Sequence, residues 1–306
     1  MRIRVLGSAA GGGVPQWNCG CPNCREARQR TGGILPRTQD SMAVSANGEE
    51  WFLLNASPEI RTQIESFPAL HPRGSRHSPV GAILLTNGDL DHCLGLFSLR
   101  ESYPLVVYAT ERVRQGLVES NVIVRTLQRF PEQLTWRPLK LGREEELSGA
   151  GGSPTGLSVT PLPLPGKLPI HLEGLLPPDP EDNVGLWIRE RKGGRLLVYL
   201  PAVGAVDGSL LQALEGVNAL FFDGTFWSSD ELVRLGLSTK RAEDMAHLPI
   251  GGPTGSLARL TGVTAPRRIY THINNTNPIL LAGSPERRAV EEAGCEVAED
   301  GLEIRL

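Results

Sequence analysis

Gly81-Ala82-Ile83-Leu84-Leu85-Thr86-Asn87-Gly88-Asp89-Leu90-Asp91-His92-Cys93-Leu94-Gly95-Leu96 reads as a buried strand that runs into a polar turn and then a helix. The apolar run before Thr86 is continuous rather than alternating, as in strands covered on both faces. The carboxyl end of such a strand is where α/β proteins place ligand sites. Asp89, Asp91 and His92 offer oxygen and nitrogen ligands within one turn; a capping Asp beside a packed His is the alternative. Arg268-Ile269-Tyr270-Thr271-His272-Ile273-Asn274-Asn275 is a second strand ending in a His. Either His alone reads as packed core. The two strand ends together point to a metal site.

Similar apolar strands recur outward from this stretch: Arg2–Leu6, Met42–Ala46, Trp51–Asn55, Leu105–Tyr108, Leu157–Leu164, Val184–Arg189, Leu196–Leu200, Ala219–Asp223 and Leu302–Leu306. Helical patterns lie between them at Pro58–Ser66 (Ser57 as N-cap), Leu94–Glu101, Glu111–Glu119, Gly208–Leu214, Gly255–Thr261 and Pro285–Ala293 (Ser284 as N-cap, Gly294 as stop). The scheme repeats after about residue 155, which predicts two sheets packed face to face with helices outside, an α/β class αββα sandwich spanning residues 1–306 as one domain. Lys167–Asn183 is too rich in Pro for an inner strand and reads either as a rim loop over the site or as a surface excursion.

A net charge of −3 leaves no cationic excess for a nucleic-acid backbone. No run approaches the about 18 apolar residues of a membrane span, and MRIRVLGSAA is a charged strand rather than a secretory signal. The expectation is a cytoplasmic protein that binds neither nucleic acid nor membrane.

Three of five cysteines fall in Cys19-Gly20-Cys21-Pro22-Asn23-Cys24, on a loop at about 15–30. Three thiols so close in a Gly/Pro turn point at one centre, with Zn2+ the usual occupant and a fourth ligand supplied from elsewhere. An iron–sulfur cluster needs a fourth Cys, and neither Cys93 nor Cys295 has motif company. His247, before a Gly turn, is a substrate-contacting or acid/base candidate, with a capping or core role as the alternative. Asp223 either faces the same cleft or forms a turn. His171 reads as an exposed loop residue or, alternatively, as one that comes down from the rim, and Arg61 is one candidate for pairing with a substrate carboxylate.

Asn87-x-Asp89-x-Asp91-His92-x-x-Gly95 after Thr86 resembles the metallo-β-lactamase superfamily signature Thr-His-x-His-x-Asp-His-x-x-Gly, with Asn87 and Asp89 in place of its first two histidines. That superfamily has the αββα fold. With GSAAGGGVPQWNCGCPNC, FFDGTFW, MAHLPIGG and THINNTNP, the chain resembles over essentially its whole length the pyrroloquinoline quinone (PQQ) biosynthesis protein B family. The resemblance implies that the first superfamily metal position corresponds to Asn87, Asp89, Gly166 and Pro201, which lack every histidine and the bridging carboxylate, so the two-metal hydroxide of the hydrolases has no framework. It implies that Asp91, His92 and His272 hold the remaining metal, the two-His, one-carboxylate set shared by non-haem Fe(II) oxygenases and some zinc sites.

The family reading implies Fe2+- and O2-dependent hydroxylation of the tyrosine ring of a Glu–Tyr cross-linked diamino acid, the PQQ precursor. Asp89 and Asn87 would orient the substrate and His247 would handle its protons. Zn2+, Mn2+ or Mg2+ would substitute for iron at this hard site. A carrier for PQQ or its precursor and a divergent hydrolase are the rival readings. The cysteine-bearing branch takes the fourth ligand of the structural zinc three residues after the late His, where a His is expected; Asn275 stands there in this sequence, so its oxygen, a water or a group from a second subunit are the alternatives, and the cysteine loop is expected to shape a homodimer interface.

Overall fold

Strands form where the chain is continuously apolar, because both faces of each become covered. The computed structural model describes residues 1–30, 33–119 and 122–306. Its strands in the first half are β1 (Arg2–Gly7), β2 (Ser41–Ser45), β3 (Trp51–Leu54), β4 (Val80–Leu84), β5 (Leu105–Ala109), β6 (Leu134–Pro138) and β7 (Glu145–Glu146). They continue as β8 (Leu157–Pro163), β9 (Val184–Glu190), β10 (Leu196–Leu200), β11 (Ala219–Asp223), β12 (Arg267–Thr271), β13 (Glu296–Val297) and β14 (Glu303–Arg305). They make two seven-stranded sheets, in the orders β14-β1-β2-β3-β4-β5-β6 and β13-β12-β11-β10-β9-β8-β7.

The inner layer is shared: Val44, Phe52, Leu84 and Tyr108 of the first sheet meet Leu186, Tyr199, Phe221 and Ile269 of the second. Each such buried side chain contributes about 1.5–3 kcal/mol. The outer faces carry their own cores under helices, so the sandwich has four layers, αββα. β3 to β6 run parallel, as do β10 to β13. Strands from both parallel halves bring their carboxyl ends together, and the residues following β3, β4, β11 and β12 build the site there.

Local differences from the sequence reading have local causes. The helix expected at Pro58–Ser66 covers only Ile60–Glu65; Glu59 stands at its N-cap without a side-chain bond, and Ser57 Oγ is buried without a partner. Ser57 still meets the helix start through its carbonyl, which accepts from Ile60 N at 3.0 Å, while Gly95 packs against the Ser57 and Ala56 backbone. Leu94–Glu101 is not one α-helix: Leu90–Cys93 is α and Leu94–Leu99 is 3₁₀. Ser284 caps Pro285–Glu292 as expected, accepting from Arg287 N at 3.0 Å. β6, β7 and β13 were not anticipated; β6 is amphipathic and β7 and β13 are two-residue edges. No helix among the described residues is long and apolar enough to cross a membrane.

Candidate metal centre

The turn after β4 and the end of β12 meet. Ligand atoms of Asp91, His92 and His272 all lie within 4.8 Å of one another. His272 Nε2 is 3.2 Å from Asp91 Oδ2, and His92 Nε2 is 3.8 Å from the same oxygen. Both imidazoles have Nδ1 engaged: His92 with Thr86 Oγ1 at 3.1 Å and His272 with Thr225 Oγ1 at 2.9 Å. Nε2 is therefore the atom each turns to the pocket. His92 Nε2 is buried and has no hydrogen-bond partner. A buried ring nitrogen left bare beside a carboxylate costs stability unless a cation or donor meets it, so this donor set fits a metal ion.

The electrostatics agree. Burial lowers the His92 pKa to about 4, keeping the ring neutral. Burial acts to raise Asp91, but the adjacent His92 and His272 outweigh it and hold the carboxyl well below its usual range. Burial acts to lower His272, and the Asp91 contact overrides it, raising the ring to about 9. His272 has φ 55° and Asn55 φ 62°, left-handed values that non-Gly residues seldom adopt. Gly11 lets the N-terminal loop close on the site: a Cβ there would stand 3.2 Å from Asp91 Oδ2.

His247 belongs to the same cleft. Its Nδ1 is 2.6 Å from Asp223 Oδ2, its ring stacks on His272 with centroids 5.4 Å apart, and it is near Phe226. Asp223, Thr225 and His247 form a bonded group: Thr225 N and Oγ1 both donate to Asp223 Oδ1 at 2.9 and 2.6 Å. Asp223 thus faces the site rather than merely shaping a turn. Oriented by it, His247 leaves Nε2 free toward the cleft.

The other side of the pocket is built differently. Asn87 Oδ1 accepts from Asp89 N at 3.0 Å, and Asn87 Nδ2 donates to Asn183 Oδ1 at 3.3 Å. Asn183 Nδ2 donates to Ala202 O at 3.0 Å, next to Pro201. A Cβ on Gly166 would lie 2.5 Å from Asn183 Cβ, so no side chain fits at 166. Pro169 covers Gly88, which makes Lys167–Asn183 a rim loop over the 87–89 turn. The Asp89 carboxylate has no bonded partner among the described residues; burial raises its pKa to about 6, with Asp91 adding to the effect and Lys167 opposing it.

Cys19, Cys21 and Cys24 converge within 4.8 Å as free thiols. The Asn275 amide faces all three, Nδ2 lying 3.2, 3.6 and 3.2 Å from their Sγ atoms. Hydrogen bonds from the Cys21 backbone and its neighbours lower Cys19 against a burial penalty, while burial raises Cys21 to about 11. Cys93 and Cys295 are buried core residues.

Two expectations need correction. His171 is half-buried rather than exposed, with both ring nitrogens cut off from solvent and unpartnered, because the rim loop folds down beside Gly88 and Arg112. Arg61 lines a surface groove with Arg76, Arg100 and Tyr103 whose lining includes none of the cluster residues. The half-buried Lys167 is a cation close enough to the acidic turn to act on Asp89. The sequence reading passed over it, as it did Thr225, Asn55 and Asp40, because single polar residues in loops carry no motif.

Residues 50–273 match the model of the beta-lactamase superfamily domain. The chain is 47% identical over 310 residues to coenzyme PQQ synthesis protein B of Methylobacterium nodulans, covering 100% of both. It superposes on the crystal structure of Zn2+-bound PqqB from Methylobacterium extorquens with a TM-score of 0.92 at 43% identity, again over 100% of both chains. A diphosphatase of the PhnP family shares the fold, with a TM-score of 0.65 at 20% identity over 99% of this chain and 97% of that one.

Proposed function

This chain belongs to the coenzyme PQQ synthesis protein B family of the β-lactamase superfamily, and on that premise we propose that it is a metal-dependent oxygenase hydroxylating the tyrosine ring of the Glu–Tyr cross-linked PQQ precursor. The observation that carries the reading is the buried, unpartnered Nε2 of His92 converging with His272 and Asp91 while the neighbouring ligand position is filled by amides. Two imidazoles and one carboxylate are a non-haem iron set. Iron(II) bound there would supply the redox chemistry with O2 that Zn2+ lacks, one oxygen atom entering the ring and the other leaving as water with two electrons from an added reductant. The M. extorquens relative binds Zn2+, and the same donors accept Zn2+, Mn2+ or Mg2+ when iron is withheld.

The protein's own groups position the substrate. Asp223 holds His247 by Nδ1, so Nε2 takes or returns a proton at the ring hydroxyl. The unpaired Asp89 carboxylate receives a substrate amine, and Lys167 attracts a substrate carboxylate. Asn87 borders the cleft; with its carbonyl and one amide hydrogen already bonded, it shapes the site more than it bonds substrate.

The cysteine cluster is read as a structural zinc site completed by Asn275, whose amide presents Oδ1 when turned over. The loop carrying it is read as part of a homodimer interface. Cys21→Ser is expected to lose zinc and the dimer together; a folded, dimeric, fully zinc-loaded variant would refute both readings.

The decisive assay is anaerobic Fe2+ loading, addition of the cross-linked diamino acid and a two-electron reductant such as ascorbate, then O2, with product mass as the readout. One added oxygen, absent with Zn2+ in the site, supports the oxygenase. Tight binding of unchanged substrate would make the protein a carrier. Bond cleavage without O2 would make it a hydrolase.

A further inference from the structure

A buried carboxylate far along the chain from the cluster has no place in the chemistry above. Asp40 is 1% exposed, yet among the described residues no Lys or Arg forms an ion pair with it. Tyr199 Oη donates to its Oδ2, and Thr271 Oγ1 donates to its Oδ1 at 2.5 Å. Burial raises its pKa to about 6. A carboxylate kept in the interior without a direct ion pair costs stability, so its presence calls for a reason.

The hydrogen bonds leading away from Asp40 have a fixed direction, set by one group that can only donate. The backbone N–H of Thr86 donates to Asn55 Oδ1 at 3.0 Å, which fixes how the Asn55 amide is turned. Asn55 Nδ2 therefore faces Tyr199 Oη at 3.2 Å and donates to it. With its lone pair so used, Tyr199 gives its proton to Asp40. At the other end, Thr86 Oγ1 is 3.1 Å from Asn55 Oδ1, a pure acceptor, and gives its proton there. Thr86 Oγ1 is then left to accept from His92 Nδ1 at 3.1 Å. His92 must carry its proton on Nδ1, and its bare Nε2 is the buried, unpartnered atom in the pocket. Every proton from His92 to Asp40 points toward Asp40.

The second imidazole shows the same device in shorter form. Thr225 N and Oγ1 both donate to Asp223 Oδ1, and Thr225 Oγ1 accepts from His272 Nδ1. There the carboxylate is one threonine away. For His92 a neutral amide stands in that place, and the charge lies one tyrosine further on.

We propose that Asp40 is a positioning residue for His92, acting through the hydrogen-bonded relay Tyr199–Asn55–Thr86 to fix the ring's tautomer and raise the donor strength of Nε2. Bonds in such a chain polarise one another, and all its members are buried, so water does not short-circuit it. Groups that orient a ligating imidazole typically matter 10–100-fold in metal affinity. Through Thr271, next to His272, Asp40 also steadies the second ligand-bearing strand end. The inference rests on the reading that Asp91, His92 and His272 hold an ion, but its first test does not.

That test is the tautomer of His92 in the metal-free full-length protein, by long-range 1H–15N correlation, the signal assigned by its loss in His92→Gln. The expected result is a proton on Nδ1, retained in Thr86→Ser and no longer preferred in Thr86→Val. A wild-type proton on Nε2 would overturn the relay. The second test is Co2+ affinity and visible absorption at this site with the cysteine cluster kept loaded. Tyr199→Phe and Asp40→Asn should each weaken Co2+ about 10-fold and shift its spectrum, Thr86→Val should weaken it 10–100-fold, and Thr86→Ser should stay within about twofold. If Tyr199→Phe and Asp40→Asn both match wild type in affinity and spectrum, Asp40 does not tune the site and the proposal fails. If wild type takes no Co2+ there, the metal reading fails, while the tautomer measurement still decides the relay.

Discussion

The two sides of the pocket start from comparable strand ends and finish with opposite chemistry. On one side Asp91, His92 and His272 turn their donor atoms toward one another, because threonines occupy the far nitrogen of each ring. On the other, Asn87 and Asn183 bond each other, and Gly166 is pressed so close to Asn183 that no ligand side chain could return there. Whether a polar residue at a strand end serves chemistry or architecture is decided by where its other hydrogen bonds go. The imidazoles are oriented from behind and open in front, whereas the Asn87 amide is bonded across the gap.

The comparison breaks if ligand-side changes are tolerated. His92→Ala and His272→Ala should each abolish metal binding at this site and activity together, measured by metal analysis of protein whose cysteine cluster remains loaded. His247→Gln should separate the two: metal content unchanged, turnover reduced about 10²–10⁴-fold through loss of a positioned proton carrier.

A third effect is read in pH. Folding raises the Asp40 carboxyl from 3.8 to about 6, mainly by burial, with Asp91 reinforcing and His272 opposing. The folded state therefore binds this proton more tightly than the unfolded chain does, and this group's contribution falls as pH rises from about 4 to about 6, then levels off. At about 1.4 kcal/mol per pKa unit the span is about 3 kcal/mol. Asp40→Asn removes that slope, so denaturant titrations should show the variant gaining on wild type across this window. Parallel curves would mean that folding leaves the Asp40 pKa near 3.8, and a slope continuing well above pH 6 would mean that the carboxyl stays protonated there.

The smallest effect sharpens the contrast. Asn87→Ala should cost about 1–3 kcal/mol of stability from its lost buried bonds, read by denaturant unfolding, and change metal affinity less than threefold. Asn87→His alone should not add a second ion, because Gly166 and Pro201 supply no further donor.

Much of this was legible in the sequence, for reasons that also mark the limit. Continuous runs such as AILLT and ALFFD announce covered strands, and the order of strands and helices gives the sandwich. The β6 segment LTWRP escaped because its polar residues at the sheet's edge hide its pairing with β5. Asp91, His92 and His272 could be singled out because strand-end carboxylates and imidazoles have few other uses. Asp40, Asn55 and Thr225 could not, since each is an ordinary turn residue until the fold brings a partner to it. Asp40 meets Tyr199 across 159 positions, and no local pattern encodes that contact.

The segment from His272 to Asn277 has a consequence for handling the protein. His272 faces one cluster and Asn275, three residues on, faces the other; Asn23 Nδ2 donates to Asn277 O at 3.0 Å, and Cys21 Sγ lies 3.8 Å from Asn275 O. So short a tether leaves little slack between the thiols and the imidazole. Whatever loosens the thiols, whether a chelator, an oxidant or a mercurial, pulls on the same few peptide units that aim His272. Reagents aimed at one cluster thus act on a piece of backbone shared with the other, and the order in which the two are treated becomes an experimental variable in its own right.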